Sequence, residues 1–217
     1  MRYGKYLTLL MISVFFVIQG CAYTIKTGDI PQLKTGSPLH EIKPLMFEIE
    51  EFADERQVMD KYKDNEIQMK KNYVGFYSVG IPVLIDRNVT DIITEAISNE
   101  LKRNGHSVIK PSSGNESSVK TDVDVIIKGA VTKYYCFINS TTDSRACCVE
   151  AKIAAIPTKD SGKTFIKIYR GNLPEKPRVS IGRKVFGEIL NMLLLDMIED
   201  FTTDPEFLDL LRDVKKS

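Results

Sequence analysis

Three consecutive segments, Val123 to Ile138, Ala146 to Ile156 and Thr164 to Tyr169, place apolar side chains at alternate positions, the period of a strand with one buried face. Gly129 is a candidate break in the first, and Asp160-Ser-Gly162 turns the chain between the second and third. On either side lies a stretch of helical period. Before them Val89, Ile92, Ile93, Ala96, Ile97 and Leu101 form one apolar stripe, opened by Asn88 as cap and closed by Gly105. After them Ile181, Val185, Ile189, Met192, Leu193, Met197 and Ile198 form another, widened by Leu190 and Leu194. Strands with helices that must cover one face predict an α+β two-layer sandwich, a mainly antiparallel sheet under two principal helices.

Shorter signals fill in the order. Leu45, Phe47 and Ile49 alternate with polar neighbours as a strand that ends at Phe52-Ala-Asp-Glu-Arg56. Val74 to Tyr77 and Ile81 to Ile85 read as a hairpin, Ser107 to Lys110 as a strand, and 111–118 as a polar loop. The stretch Asp54 to Lys71 is so highly charged, with so little periodicity, that it reads as a solvated loop. Asn172 to Pro177 reads as a connection, and Asp204-Pro205 starts a short last helix that buries Phe207, Leu208, Leu210 and Leu211.

At the amino terminus Arg2 and Lys5 precede an apolar run from Leu7 to Ile18, and Gln19-Gly20-Cys21 follows. The run is shorter than the roughly 20 residues of a membrane-spanning helix and matches the hydrophobic region of a secretory signal. Ile18-Gln19-Gly20-Cys21 resembles the lipobox of bacterial lipoproteins, with Gln19 standing where a small residue is usual. That resemblance implies a cut before Cys21 and acylation of Cys21, with several acyl chains, palmitate among them, giving stable attachment. Ala22 and Tyr23, rather than Asp, follow the cysteine, which the resemblance reads as sorting to the outer membrane, periplasmic face. An ordinary signal cut meets an unsuitable Ile18, and an uncleaved anchor meets the short run. The expected organisation is residues 1–20 as signal peptide, 21–43 as lipidated cysteine and flexible tether, and 44–217 as one domain.

Removal of the signal leaves 197 of 217 residues, enough for one sizeable core. The 30 basic residues lose Arg2 and Lys5, leaving 28 against 29 acids and a formal charge of −1. A balanced charge gives no support for nucleic acid as partner. With Cys21 acylated, three thiols remain in an oxidising compartment. An antiparallel turn centred on Thr141 and Thr142 sets Cys136 opposite Cys147 for a bridge and turns Cys148 to the other face; three small buried apolar residues are the alternative.

No residue set declares catalysis, a metal or a cofactor. His40 and His106 read as solvated or edge residues, and Lys159-Asp-Ser-Gly-Lys-Thr164 lacks the first glycine of a phosphate loop and precedes a strand. Asp54, Glu55 and Arg56 could act as acid and base, or pair with one another at a strand end. The strand ending in Phe52-Ala-Asp-Glu-Arg56, Val74-Gly75, the helix ending in Leu101-Lys-Arg-Asn-Gly-His106, the meander and the last helices resemble the YajG-type periplasmic lipoproteins. The resemblance covers about residues 43 to 211 and implies a fold and a compartment. The expected function is a non-enzymatic, membrane-anchored lipoprotein that binds or scaffolds an envelope protein, glycolipid or glycan. Contacts are expected at Asp54, Glu55 and Arg56 and at the Tyr134-Tyr135 pair, of which one faces outward. An envelope hydrolase or transferase built on Asp54 and Glu55, and a homo-oligomer subunit pairing through its sheet edge, are the alternatives.

Overall fold

The computed structural model describes residues 23–25, 37–56, 73–76, 82–109, 122–139, 144–159, 163–177 and 183–214. In chain order these form β1 (Tyr23–Ile25), β2 (Met46–Ile49), β3 (Ala53–Asp54), β4 (Tyr73–Phe76), β5 (Pro82–Ile85) and α1 (Val89–Arg103). Then come β6 (Ser107–Ile109), β7 (Val125–Asn139), β8 (Ser144–Pro157), β9 (Phe165–Pro177), α2 (Arg183–Thr202) and α3 (Pro205–Val214). The fold is α+β, and the main sheet is open rather than closed into a barrel.

The main sheet has the order β6-β2-β7-β8-β9, with β3 pairing beside β2 on the same flank of β7. Its large part is the antiparallel meander β7-β8-β9. The small strands differ from the expected antiparallel pattern, because β2 lies parallel to both β6 and β7, and β3 parallel to β7. The strand expected to end at Phe52 therefore pairs again at Ala53 and Asp54, opposite Ala130 and Val131. The hairpin expected near residues 74–85 exists as β4 antiparallel to β5, but it belongs to a second, three-stranded sheet completed by β1. Residues 57–71 of the charged stretch lie outside the described residues.

Two findings move the edge of the packed body. β1 pairs with β5 from Tyr23 to Ile25, and Pro38–Glu41 forms a 3-10 turn capped by the Ser37 hydroxyl, with Leu39 and Ile42 in the core. Both segments fall within 21–43, where a tether is expected; three residues are too few to show a period, and two prolines and glycines masked the turn. β9 also runs through Asn172 to Pro177 rather than ending in a connection, with Asn172 opposite Cys148 and Pro177 opposite Ser144. It is an edge strand, where a missing proline N–H costs no ladder bond on the open side.

β7 passes Gly129 without a break; the ladder shifts at Thr132 instead. A Cβ on Gly129 would stand 2.2 Å from the Lys152 carbonyl oxygen and 2.6 Å from the Phe52 ring, so glycine admits the ring over the strand. One face of the meander, with Val125, Ile127, Val149, Ala151, Ile153 and Ala155, is buried under the helices. α2 covers it with Leu190, Leu193, Leu194, Met197 and Ile198, and α1 adds Ile92, Ile93, Ile97 and Leu101. Burying each such side chain contributes about 1.5–3 kcal/mol. Phe165, Tyr169, Phe201 and Phe207 close the far end, with ring centroids 4.4 Å apart for Phe201 and Phe207.

The caps follow the sequence. Asn88 Oδ1 accepts from the Thr90 N–H, and Gly105 has φ 86°, a left-handed conformation suited to glycine. Asp204 caps α3 by accepting the Glu206 and Phe207 N–H groups at 2.9 and 3.4 Å. Its second oxygen takes Lys167 at 2.6 Å and the Tyr169 hydroxyl at 2.8 Å, tying β9 to the α2–α3 corner. His106 corrects an expectation: it is buried, its Nδ1 accepts the Leu45 N–H at 3.3 Å, and its ring meets Phe47 edge-on.

β9 approaches α2 so closely that a Cβ on Gly171 would lie 1.9 Å from the Leu193 carbonyl oxygen. Gly171→Ala must push strand and helix apart and is expected to cost about 1–3 kcal/mol or more. Thermal unfolding followed by circular dichroism should place Gly171→Ala several degrees below the wild type; an unchanged midpoint would contradict this packing.

Candidate interaction face

Because side chains alternate across a strand, covering one face of the meander leaves the other open. The long runs of β7, β8 and β9 present Lys128, Lys133 and Tyr135, then Cys148, Glu150 and Lys152, then Ile166, Ile168, Arg170 and Asn172 on that face. No described helix covers them. Ile166 and Ile168, on the edge strand β9, are each 58% exposed, and Tyr135 on β7 is 38% exposed, large apolar side chains on one open face.

The face carries charge of one sign. Lys128 and Lys152 are exposed, and among the described residues no carboxylate pairs with either. Lys133 and Arg170 flank the one acid, Glu150, from the two neighbouring strands. Glu150 accepts from Thr132 Oγ1 at 2.8 Å and from Lys133 Nζ at 3.1 Å, and Arg170 binds the same carboxylate. Burial pushes the Glu150 carboxyl up, but these three donors outweigh it and hold it below its ordinary value. Four cations against one buried acid leave a formal +3. Cys148 sits among these groups as a small buried residue, and desolvation pushes its thiol above the ordinary value.

The residues singled out in the sequence separate. Cys136 and Cys147 stand opposite one another and are disulfide-bonded, on the covered face, with Cys148 on the open one. Tyr134 is 2% exposed, its hydroxyl has no hydrogen-bond partner among the described residues, and burial holds the phenol neutral. Tyr134 therefore packs in the core, while Tyr135 stands on the open face. Asp54 and Arg56 form a bidentate pair, Nε to Oδ1 and Nη2 to Oδ2 both at 2.8 Å, and the Arg56 N–H also reaches Oδ1. Glu55 points away, exposed. Asp54 and Glu55 thus do not converge, and the Asp54 carboxylate is held by three donors. Among the described residues no group of three or more His, Cys, Asp and Glu side chains is placed to hold a metal, and no helix is long and apolar enough to cross a membrane. The sequence reading named Tyr135 but not Lys128, Lys152, Ile166, Ile168 or Arg170. Even-numbered positions on β8 and β9 were the available signal, yet only the strand register brings them beside Lys128 and Lys133.

No family model matches the chain, and no curated protein matches it. Among solved structures, a Xanthomonas campestris protein of the family DUF330 superposes with TM-score 0.57 at 8% identity, over 89% of this chain and 99% of that one. At that identity the likeness is one of fold. A neuraminyllactose-binding hemagglutinin homolog from Helicobacter pylori has TM-score 0.41 at 9% identity, over 87% of this chain and 97% of that one. A lipoprotein from Neisseria meningitidis has TM-score 0.25 at 12% identity, over 59% and 84%. These two superpose too loosely to carry an argument.

The lowered carboxyls of Glu150 and Asp204 make stability depend on pH with a definite sign. Each is ionised more readily folded than unfolded, so its contribution is complete above the ordinary carboxylate range and is lost as pH falls through the lowered folded values. Denaturant midpoints should fall as pH drops below about 4.5. Glu150→Gln should flatten part of that acid limb while leaving Asp204 to produce the rest; an identical limb in the variant would contradict the role given to Glu150.

Proposed function

We propose that the chain is a lipid-anchored protein of a bacterial cell envelope, acylated on Cys21 and facing the periplasm from the outer membrane. Its α+β domain binds or scaffolds another envelope component and catalyses no reaction. The cationic apolar face of the meander carries the reading: exposed isoleucines among four cations form a surface that gains by being covered. The signal-like amino terminus ending in Ile18-Gln19-Gly20-Cys21 supports the anchor, and Ala22 and Tyr23 support the outer membrane. The YajG-type resemblance of the sequence supports the compartment, and the fold likeness to the Xanthomonas protein brings no activity with it. A hydrolase built on Asp54 and Glu55 has less support, because Arg56 occupies the first carboxylate and the second points elsewhere.

Two measurements check the two halves. Cys21→Ala should accumulate an uncut precursor that takes up no labelled fatty acid; normal maturation and labelling would refute the anchor. A photoreactive residue at Ile168 should form a discrete adduct in living cells, while one at exposed Lys102 on α1 should not. Equal or absent adducts at both positions would refute the open face as the binding surface.

A further inference from the structure

The solvent side of α2 carries the opposite charge to the open sheet face. Its exposed positions Glu188, Met192, Asp196, Glu199 and Asp200 recur at three- and four-residue spacing, so they form one stripe. Asp196, Glu199 and Asp200 alone give it a formal −3, and no described exposed base interrupts it. Among the described residues no cation pairs with Asp196, Glu199 or Asp200, and burial together with its neighbour Asp200 raises the Asp196 carboxyl. Met192, 44% exposed, puts an apolar side chain in the middle of the stripe. α2 packs on β8 and β9 with its other side, so the acidic stripe and the cationic face lie on opposite surfaces of the two-layer body.

The two surfaces also match in extent. From Glu188 to Asp200 the helix rises about 18 Å at 1.5 Å per residue. On the sheet, Lys128 and Arg170 lie two strands and four residues apart, a diagonal of about 16 Å at strand spacings of 4.8 Å and a rise of 3.3 Å per residue. Face-to-face pairing of two sheets would bring +3 against +3 and is repulsive. An uncharged partner would leave Lys128 and Lys152 desolvated without a counter-charge.

We propose that the occupant of the open sheet face is the α2 stripe of a second copy of this chain. This rests on reading that face as the binding surface and names its partner. Ile166 and Ile168 of one copy pack around Met192 of the next, and Lys128, Lys152 and Arg170 face Asp196, Glu199 and Asp200. The contact joins two different surfaces, so each copy keeps one of each free. Association is heterologous and continues to a ring or an open row, unlike a two-fold dimer. Complementary charge across the contact makes it sensitive to salt.

The test uses the mature lipidated chain in detergent, weighed by native mass spectrometry. Assemblies larger than a dimer are expected at low salt and should dissociate to monomer near 1 M salt. Lys128→Glu with Lys152→Glu turns the sheet face to −1, and Asp196→Asn with Asp200→Asn cuts the stripe from −3 to −1. Each double variant alone should associate at least about ten-fold more weakly. The intact stripe of the first variant still fits the intact face of the second, and the two altered surfaces repel, so an equimolar mixture should give a 1:1 dimer and nothing larger. A circular dichroism melt for each variant separates loss of the interface from loss of the fold. Should one pair unfold, Lys152→Glu and Asp196→Asn as single changes repeat the mixing test. A monomeric wild type at low salt overturns the proposal, as do assemblies that ignore both salt and the variants, or a mixture that forms no dimer while the wild type assembles. If the wild type is monomeric while the probe at Ile168 still captures a different envelope component, the binding reading stands and this inference alone fails.

Discussion

The meander β7-β8-β9 has apolar side chains at alternate positions through strands of 15, 14 and 13 residues, so its two faces cannot have the same fate. Helix α2, laid against Gly171 and the row Val149, Ala151 and Ile153, takes one face out of water. Everything else is arranged around that covered face. α1 and the parallel strand β2 complete the core at one end, and the Phe165–Phe201–Phe207 cluster closes the other. Asp204 ties the two layers together where α2 turns into α3, with four donors on one carboxylate. The same constraint leaves the opposite face without a described helix to cover it.

That asymmetry distributes the chemistry. Groups that would be reactive in water, the Cys136 and Cys147 sulfurs and the Tyr134 phenol, lie on the covered side, where they serve as packing and a cross-strand link. The open side holds cations around one acid. Glu150 is held toward its ionised form in spite of its burial because Thr132 and Lys133 reach it from β7 and Arg170 from β9. A charge held this way fixes the Lys133 and Arg170 side chains across the sheet. Lys128 and Lys152, with which no described carboxylate pairs, keep the most charge to offer a partner.

The elements built on local pattern were readable from the sequence. The α1 stripe with Asn88 and Gly105 at its ends, the meander and the Asp204 cap all follow from periods of two or 3.6 and from residues with one conformational task. The opposition of Cys136 and Cys147 followed from the turn centre alone, since antiparallel register conserves the sum of paired numbers across it. What escaped depends on distant segments. β1 has three residues, too few for a period, and the parallel placement of β2 between β6 and β7 joins positions about 60 to 80 residues apart. The prolines near the end of β9 suggested a connection, but an edge strand tolerates them. His106 looked like a solvated residue beyond a cap, and the chain's return to Leu45 buried it. The open face was half visible: alternation predicted that one tyrosine of the Tyr134-Tyr135 pair faces outward, whereas which one, and the company of Lys128, Lys152 and Arg170, required the register of three strands.

The account stands on the open face being covered when the protein is at work. Amine-reactive footprinting of the lysines, read by mass spectrometry in intact envelopes and again on the purified chain in high salt, tests this directly. Lys128 and Lys152 should label slowly in the envelope and fast in the isolated chain, while Lys102 on α1 labels equally in both. Equal labelling of Lys128 and Lys152 in the two states would contradict the account.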